Sequence, residues 1–325
     1  MPCDLSSLER SEDKFWRPLE PFLCDLSVSF VNRLRRTLWN LARAYLCANL
    51  TMRFSALVSI CMLALFAVSC SNNNVDVDDS LKKYFNENHV DGTFGLFDNA
   101  LGKFTIYKLD RFKDSAYLPA STFKIVNALI GVETGRVKDD SAVIQWNGKP
   151  WTNPACNADL PMYQAFRNSC VPWFQELARR IGKDTMQHEL DSLGYGQRYG
   201  KPSIKQIDSF WLDNSVKVTA DEQLGLVKRL YFQQLPFQAR TQRIVKSMML
   251  MEDNSNYKLG YKTGWGRREN GNSIGWIIGW IEENKHAYFF ALQIESSDAN
   301  IDIAKVRMNM LKSILDQYGF FKGRR

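Results

Sequence analysis

The pattern of apolar and polar residues changes along the chain from strand-like to helical and back to strand-like. Residues 75–88 place Leu81, Tyr84 and Phe85 at helical spacing, which predicts a short helix. Residues 121–134 are strongly apolar and end at Gly135, which predicts a buried helix with a glycine C-cap. Apolar runs with turn residues between them predict strands at 92–98, 103–109, 257–264, 273–282 and 287–295.

The middle of the chain, residues 137–237, is mostly helical in pattern. Its clearest helices are predicted at Val171–Ile181, 185–193 and Ala220–Tyr231, and a last amphipathic helix is predicted at 302–318. Strands near both ends with helices between them predict an α+β fold. We expect one antiparallel sheet formed by the N- and C-terminal strands, flanked by helices, with a helical subdomain and a cleft where that subdomain meets the sheet.

The first apolar run suggests export. From Met52 a short positive start is followed by apolar residues 56–68, a run shorter than the roughly 20 residues of a transmembrane helix and typical of a signal-peptide core. It ends in Ala-Val-Ser-Cys at 67–70, which resembles a bacterial lipoprotein processing site and implies a lipid on Cys70. We expect a membrane-anchored protein of the periplasm or cell envelope, with 71–79 as a flexible tether; an ordinary secretory signal or a buried apolar helix is the alternative.

A signal peptide should begin a chain, yet 51 residues precede Met52. We therefore treat 1–51 as a doubtful N-terminal extension and expect translation to begin at Met52. The domain plan becomes a signal peptide at 52–70, a tether and first helix at 71–90, and a catalytic domain at 91–325.

Composition narrows the chemistry. The 325 residues carry a formal charge of +7 without a dense basic block, which argues against nucleic-acid binding. Five of the seven cysteines lie in the first 70 residues; whether the remaining two, Cys156 and Cys170, pair stays open. Only three histidines are present and no two are close in sequence, so we expect no metal site and a catalytic base other than histidine.

Ser121 and Lys124 are the first candidate catalytic pair. Three residues apart on a helix, their side chains share a face, and a lysine can activate a serine if burial lowers its pKa. The S-x-x-K spacing occurs four times in the chain, but only here are the neighbouring residues strongly apolar.

Lys262-Thr263-Gly264 is the second candidate element and occurs once, at the end of a predicted strand. A lysine charge and a threonine hydroxyl can hold a carboxylate, and glycine lets the backbone approach closely. By contrast, Arg267-Arg268 just beyond is expected to be a solvated turn.

S-x-x-K followed by K-T-G is a signature of penicillin-recognising serine enzymes. Between them, Ser169-Cys170-Val171 is similar to the S-x-V element of class D, oxacillinase-type β-lactamases, and the chain resembles that family over about residues 91–315. The other stretches that carry the resemblance are 117–125, 130–135, 146–150, 210–212 and 276–280.

The resemblance implies hydrolysis of β-lactam antibiotics, hence antibiotic resistance, and a role for each matching residue. Ser121 would be acylated, and Lys124 would carry a carbamate formed from carbon dioxide, the general base, with no other cofactor. Trp211 would hold the carbamate, Ser169 would relay a proton, and Val171 would pack beside the modified lysine. The substrate carboxylate would meet Lys262, Thr263, Gly264 and Arg307, or Lys305 if no insertion is allowed; the N–H groups of Ser121 and Trp265 would form the oxyanion hole.

Two other functions use the same Ser–Lys chemistry: a penicillin-sensing receptor domain that stays acylated, and a penicillin-binding transpeptidase or carboxypeptidase. Sensors carry further transmembrane helices and a protease domain, and the Ser-Cys-Val and Phe-Trp-Leu elements argue against the transpeptidase. One departure from class D is Tyr195-Gly196-Gln197, where the family usually has Asn at the third position. The oligomeric state and the preferred β-lactam class stay open.

Overall fold

The computed structural model describes residues 33–35, residue 37 and residues 74–325. The chain divides into two units at Asn73, and the second unit, Asn74–Arg325, contains the elements below. In the first unit, the Thr37 hydroxyl donates to the Arg33 carbonyl across one helical turn. The predicted signal peptide, Cys70 and most of the N-terminal extension lie outside the described residues. In the part that is described, no helix is long and apolar enough to cross a membrane.

A seven-stranded sheet forms the centre of the second unit. Its strands are β1 (Val75–Val77), β2 (Asp91–Asp98), β3 (Lys103–Tyr107), β6 (Leu250–Asp253), β7 (Lys258–Arg267), β8 (Ser273–Glu283) and β9 (His286–Ser296). Their order across the sheet is β1-β3-β2-β9-β8-β7-β6. Because β2 pairs with β9, the N- and C-terminal strands share one sheet, as predicted. The short strands β4 (Val143–Ile144) and β5 (Leu160–Pro161) pair separately.

Nine α-helices accompany these strands within Asn74–Arg325. They are α1 (Lys82–Glu87), α2 (Leu109–Asp114), α3 (Lys124–Glu133), α4 (Met162–Arg167), α5 (Val171–Ile181), α6 (Lys183–Leu193), α7 (Ala220–Tyr231), α8 (Ala239–Met249) and α9 (Ile303–Gln317). Short 3-10 turns occur at Asp79–Leu81, Ala120–Phe123 and Pro154–Cys156. The predicted α+β fold is therefore confirmed.

The sheet separates two hydrophobic cores because its side chains alternate between faces. Ile277 on β8 faces α1 and α9, and packs among residues such as Leu311. Its neighbour Ile278 faces the opposite side, where α3, α5 and α7 form the larger core. This larger core is shared by the helices and one face of the sheet, and α3 lies inside it with nearly every residue buried. Gly135 follows α3 with φ +68°, which confirms the predicted glycine cap.

The interpretation of residues 75–88 as one helix is wrong in its first half. Val75–Val77 form β1, which pairs parallel with β3, and Asp78 then caps the 3-10 turn through the Ser80 N–H. Two β-branched valines separated by one polar residue suit an edge strand, and the partner strand decides the outcome. The sheet is thus not wholly antiparallel, and the chain is already part of it from Val75 onward, where a tether was expected.

The hairpin after β7 is held by an ion network, which corrects the expectation of a solvated turn for Arg268. Glu295 on β9 is buried and accepts hydrogen bonds from Arg268 and Arg111, each at 2.9 Å, and from Asn272 at 2.8 Å. Burial alone would raise the pKa of the Glu295 carboxyl, but these donors lower it below its ordinary value. The network therefore ties residues 268–272 to the centre of the sheet.

We expect Glu295→Ala to lower the free energy of unfolding by about 3 kcal/mol, because it leaves Arg111 and Arg268 without their shared buried carboxylate. Glu269→Ala is the matched control: Glu269 lies on the same hairpin and pairs with Lys217, but its side chain is 58% exposed. The control should change stability by no more than about 0.5 kcal/mol. Urea denaturation measures both changes. An equal decrease in the free energy of unfolding for the two variants would contradict a structural role for the Glu295 network.

Candidate active site

Ser121 and Lys124 meet at the start of α3. The 3-10 turn Ala120–Phe123 leads directly into the helix, so the spacing of three residues brings both side chains to one face. Lys124 Nζ donates to Ser121 Oγ at 2.7 Å. The Lys124 side chain is fully buried, and this burial lowers the pKa of its amine from 10.5 to about 7. The pair has the geometry and protonation of a serine with an adjacent base.

An aromatic wall stands behind this pair. Phe123 stacks on Trp211 with ring centroids 5.2 Å apart, and Phe210 meets both rings edge-on. Trp211 is fully buried, and its indole N–H has no hydrogen-bond partner among the described residues. A buried donor without an acceptor is costly, so this N–H is available to an acceptor bound in the site.

Ser169 and Lys262 form the second polar contact of the site. Ser169 precedes α5 and has φ +56°, in the left-handed region that non-glycine residues rarely adopt. Its Oγ accepts a hydrogen bond from Lys262 Nζ at 3.0 Å. Burial lowers the pKa of Lys262 well below its ordinary value, and the nearby charges of Lys124 and Arg307 act in the same direction. The structure thus brings the S-x-x-K, S-x-V and K-T-G elements together.

Gly264 allows β7 to lie against the turn that carries Ser121, residues 119–123, which we call the nucleophile turn. A Cβ at this position would stand 2.9 Å from the Pro119 carbonyl oxygen and 3.3 Å from the Thr122 nitrogen. No side chain fits there without displacing backbone, so glycine is required by the close approach. Thr263 on the same strand is half-buried, whereas Trp265 is 54% exposed at the rim.

Arg307, rather than Lys305, reaches this site. Its guanidinium donates to the Gly264 carbonyl from α9, and burial lowers its pKa to about 10. Lys305 is exposed, and its backbone N–H is capped by the Asp302 side chain. Val171 is half-buried at the first position of α5.

Cys156 and Cys170 form a disulfide, with Cα atoms 5.4 Å apart. The question left open by the sequence is thereby answered: the middle residue of S-x-V is covalently joined to the 3-10 turn Pro154–Cys156. At Gln197, where the resemblance to class D leads one to expect an asparagine, the side-chain Nε2 donates to Asp191 Oδ1 at 3.2 Å. The longer side chain therefore serves a local contact.

Three further contacts fix the nucleophile turn, and none of them is predicted by the sequence. Gln223 on α7 donates to Thr122 Oγ1 at 2.7 Å, and the Trp276 indole donates to the Leu118 carbonyl at 3.0 Å. The Trp211 carbonyl accepts from the Ala120 N–H at 3.1 Å. Gln223 is 101 residues from Thr122 in sequence, so no local pattern could have indicated the contact.

Comparison with known proteins agrees with this geometry. The family model described as the penicillin-binding protein transpeptidase domain matches residues 82–316. The β-lactamase OXA-48 of Klebsiella pneumoniae is 33% identical over 267 residues, which cover 82% of this chain and 98% of the relative. The β-lactamase OXA-5 of Pseudomonas aeruginosa is 34% identical over 236 residues, covering 72% of this chain and 87% of the relative.

Solved structures give the same result. The class D β-lactamase YbXI from Nostoc is 36% identical with a TM-score of 0.69, covering 74% of this chain and 99% of that chain. FUS-1 (OXA-85), a class D β-lactamase from Fusobacterium nucleatum, is 33% identical with a TM-score of 0.71. The match covers 76% of this chain and 100% of that chain. The fold and site are thus those of a penicillin-recognising serine enzyme. The chain belongs to the class D β-lactamases.

The burial of Lys124 should make this protein less stable than it could be. Between pH 7 and 10.5 the unfolded chain binds a proton at Lys124 that the folded chain releases, so this residue makes stability rise with pH over that interval. We expect Lys124→Met to raise the free energy of unfolding at pH 7 by on the order of 4 kcal/mol in buffer depleted of carbon dioxide.

The gain should shrink as the pH rises toward 10.5 and disappear above it, where the amine is neutral in the unfolded chain as well as in the folded one. The gain is measured as the difference in free energy of unfolding between Lys124→Met and wild type, from denaturation of each protein at several pH values. Lys246→Met is a control on a half-buried lysine outside the site, which should give a much smaller effect. A Lys124→Met variant that is no more stable than wild type at pH 7 would contradict a neutral, desolvated amine.

Proposed function

We propose that this protein hydrolyses the β-lactam amide of penicillin-type antibiotics through an acyl-enzyme on Ser121. The observation that carries the proposal is the hydrogen bond of 2.7 Å between Ser121 Oγ and a buried Lys124 whose pKa is about 7. At neutral pH a large share of such amines is unprotonated, so the serine has a base in place. The β-lactamases named among its relatives support the same activity.

In the first step, Ser121 Oγ attacks the lactam carbonyl carbon and its proton passes to the Lys124 side chain. The N–H groups of Ser121 and Trp265 stabilise the negative oxygen that develops. As the carbon–nitrogen bond breaks, Ser169 delivers a proton to the departing nitrogen, and Lys262 lies 3.0 Å from Ser169 to complete the relay. Water then attacks the ester carbonyl carbon and gives a proton to the Lys124 side chain, which passes a proton to Ser121 Oγ as the acyl–oxygen bond breaks; the opened product leaves and Ser121 is regenerated.

The residues around Lys124 fit its carboxylation. Carbamate formation needs a neutral amine, and burial provides one. The Trp211 indole N–H is a buried donor without a partner among the described residues, and it would hold the carbamate against the apolar wall. When carbon dioxide is bound to Lys124 Nζ, it supplies a carboxylate that serves as general base in acylation and deacylation.

Lys262, Thr263 and Arg307 would bind the substrate carboxylate. Lys262 is 4% and Arg307 8% exposed, and the structure records no ion pair of either with an acidic side chain in the described part of the chain. Two buried cations lower each other's tendency to stay protonated, and an arriving anion relieves that repulsion. The site therefore favours a substrate with a negative charge beside the lactam ring.

The test measures hydrolysis of a chromogenic cephalosporin by the full chain, with and without bicarbonate. We expect turnover that bicarbonate increases, more strongly below pH 7, where protonation of Lys124 opposes carboxylation. Ser121→Ala should abolish turnover, since no other described serine hydrogen-bonds to Lys124. Ser255→Ala is the matched control, because Ser255 begins an exposed S-x-x-K and should be silent.

The alternatives give different outcomes in the same assay. One molecule of β-lactam bound per Ser121 without turnover would contradict hydrolysis and favour a penicillin sensor. The family model is named for a transpeptidase domain, so release of D-alanine from a peptidoglycan peptide is measured in parallel. Peptide turnover without β-lactam hydrolysis would favour that activity instead.

We also propose that the protein is exported and anchored to a membrane by a lipid on Cys70. The apolar core 56–68 and the small residues before Cys70 support this. In a bacterial host, Cys70→Ala should abolish the lipid-bearing form in the membrane fraction. The protein should instead be found in the soluble fraction or as a precursor that retains its signal peptide. Cys61→Ala, inside the apolar core, is the control and should stay in the membrane fraction. A Cys70→Ala protein that remains membrane-bound with unchanged mass would contradict lipidation.

A further inference from the structure

The disulfide joins the S-x-V element to a loop, residues 151–157, that is closed by its own hydrogen bonds. Trp151 N–H donates to Asn157 Oδ1 at 2.7 Å, and Asn157 Nδ2 returns a bond to the Trp151 carbonyl at 3.2 Å. Within the same loop, the Asn153 side chain caps the 3-10 turn through the Ala155 N–H. Residues 151–157 therefore form a closed unit, and Cys156 belongs to it.

This loop is attached to the S-x-V element at two points. Cys156 bonds to Cys170 across 14 positions of sequence, and both side chains are buried, with 4% and 0% exposure. Asn153 Nδ2 also donates to the Asn168 carbonyl at 3.1 Å. The two attachments lie on either side of Ser169, so the loop holds the backbone immediately before and after the proposed proton relay.

Ser169 needs such support because its backbone is strained. A φ of +56° is unfavourable for a serine, and it persists only where the surroundings determine it. Two backbone bonds help: Ser169 N–H to the Phe166 carbonyl at 3.1 Å, and Cys170 N–H to the Ala165 carbonyl at 2.8 Å. Both partners lie on α4, the helix just before Ser169, whereas the disulfide provides an anchor outside this local turn.

We infer that the Cys156–Cys170 disulfide is a positioning element for Ser169, holding its hydroxyl on Lys262 for proton transfer to the leaving nitrogen. The inference rests on the proposed function for the role of Ser169. Without the crosslink, Ser169 relaxes from the left-handed region and its hydroxyl moves away from Lys262. Acylation slows as a result, while the carboxylate-binding residues Lys262, Thr263 and Arg307 keep their places on β7 and α9.

The test is a cycle of four full-length proteins: wild type, Cys156→Ala, Ser169→Ala and the double variant. Cys156→Ala keeps the Ser-Cys-Val sequence intact and removes only the crosslink. The rate of Ser121 acylation by a fluorescent penicillin is measured by rapid quench, and turnover of a chromogenic cephalosporin gives kcat and KM. Asn153→Ala is the matched control, since it removes the other attachment and leaves the disulfide in place.

We expect Cys156→Ala to slow acylation by about ten-fold with KM within about two-fold of wild type, because a small misplacement of a catalytic group is costly. In the Ser169→Ala background the same change should cost less than about two-fold, since the group it positions is absent. Asn153→Ala should stay within about two-fold of wild type, because it removes an exposed hydrogen bond and leaves the covalent attachment that holds the loop to Cys170. If the disulfide only stabilised the fold, Cys156→Ala would slow acylation by the same factor in the wild-type and the Ser169→Ala proteins. That result would overturn the inference.

A readout that does not depend on catalysis separates this inference from the proposed function. The crystal structure of Cys156→Ala should show Ser169 outside the left-handed region and its Oγ beyond hydrogen-bond distance of Lys262 Nζ. An unchanged Ser169 overturns the inference whether or not the protein hydrolyses β-lactams. If Cys156→Ala does not fold, wild type reduced by a phosphine and alkylated replaces it in both measurements. A wild type that keeps the disulfide but neither hydrolyses nor binds β-lactam contradicts the proposed function alone.

Discussion

The removal of the Lys124 amine from water is the constraint on which the rest of the site depends. An amine enclosed by apolar side chains loses hydration that it cannot regain, so its neutral form is favoured and its pKa falls to about 7. The structure supports this amine with a single side-chain hydrogen bond, to Ser121. Helix α3 can bury Lys124 only because it lies inside the larger core, with α5 and α8 packed beside it. The hydrophobic packing of the domain therefore produces the chemical property of the base.

The three ionisable side chains that meet in the site, Lys124, Lys262 and Arg307, are all basic. They converge on the start of α3, and the pKa of Lys262 is lowered by its burial and then by the charges that Lys124 and Arg307 carry when protonated. Such an arrangement is unfavourable in the empty protein and becomes favourable when an anion arrives. Burial alone explains why Lys124 is neutral, whereas the buried side chains of Lys262 and Arg307 together would attract a carboxylate. An anion bound beside them would therefore offset electrostatic repulsion that folding creates.

Backbone contacts between distant segments hold this charged site in place. The nucleophile turn is fixed by Trp276 of β8, Gln223 of α7 and the carbonyl of Trp211, and Gly264 lets β7 lie directly against it. The Glu295 network ties the hairpin beyond β7 to β9. The disulfide at Cys170 applies the same principle to Ser169, with a covalent bond in place of packing. The nucleophile turn, the hairpin beyond β7 and Ser169 are thus each held by an element outside their own segment.

The sequence by itself determined the α+β class, the main strands and helices, and the residues that would meet in the site. This was possible because periodicity reports which face of an element is buried, and because the S-x-x-K and K-T-G elements carry chemistry within a few residues. Only the tertiary structure decided that residues 75–77 join the sheet as β1, that Arg268 pairs with Glu295, that Cys156 bonds to Cys170 and that Arg307, the residue preferred from the sequence, reaches the site and Lys305 does not. All four depend on partners far along the chain. A local pattern indicates which residues can be buried or charged, but the energy of a pairing exists only once folding has brought both partners together.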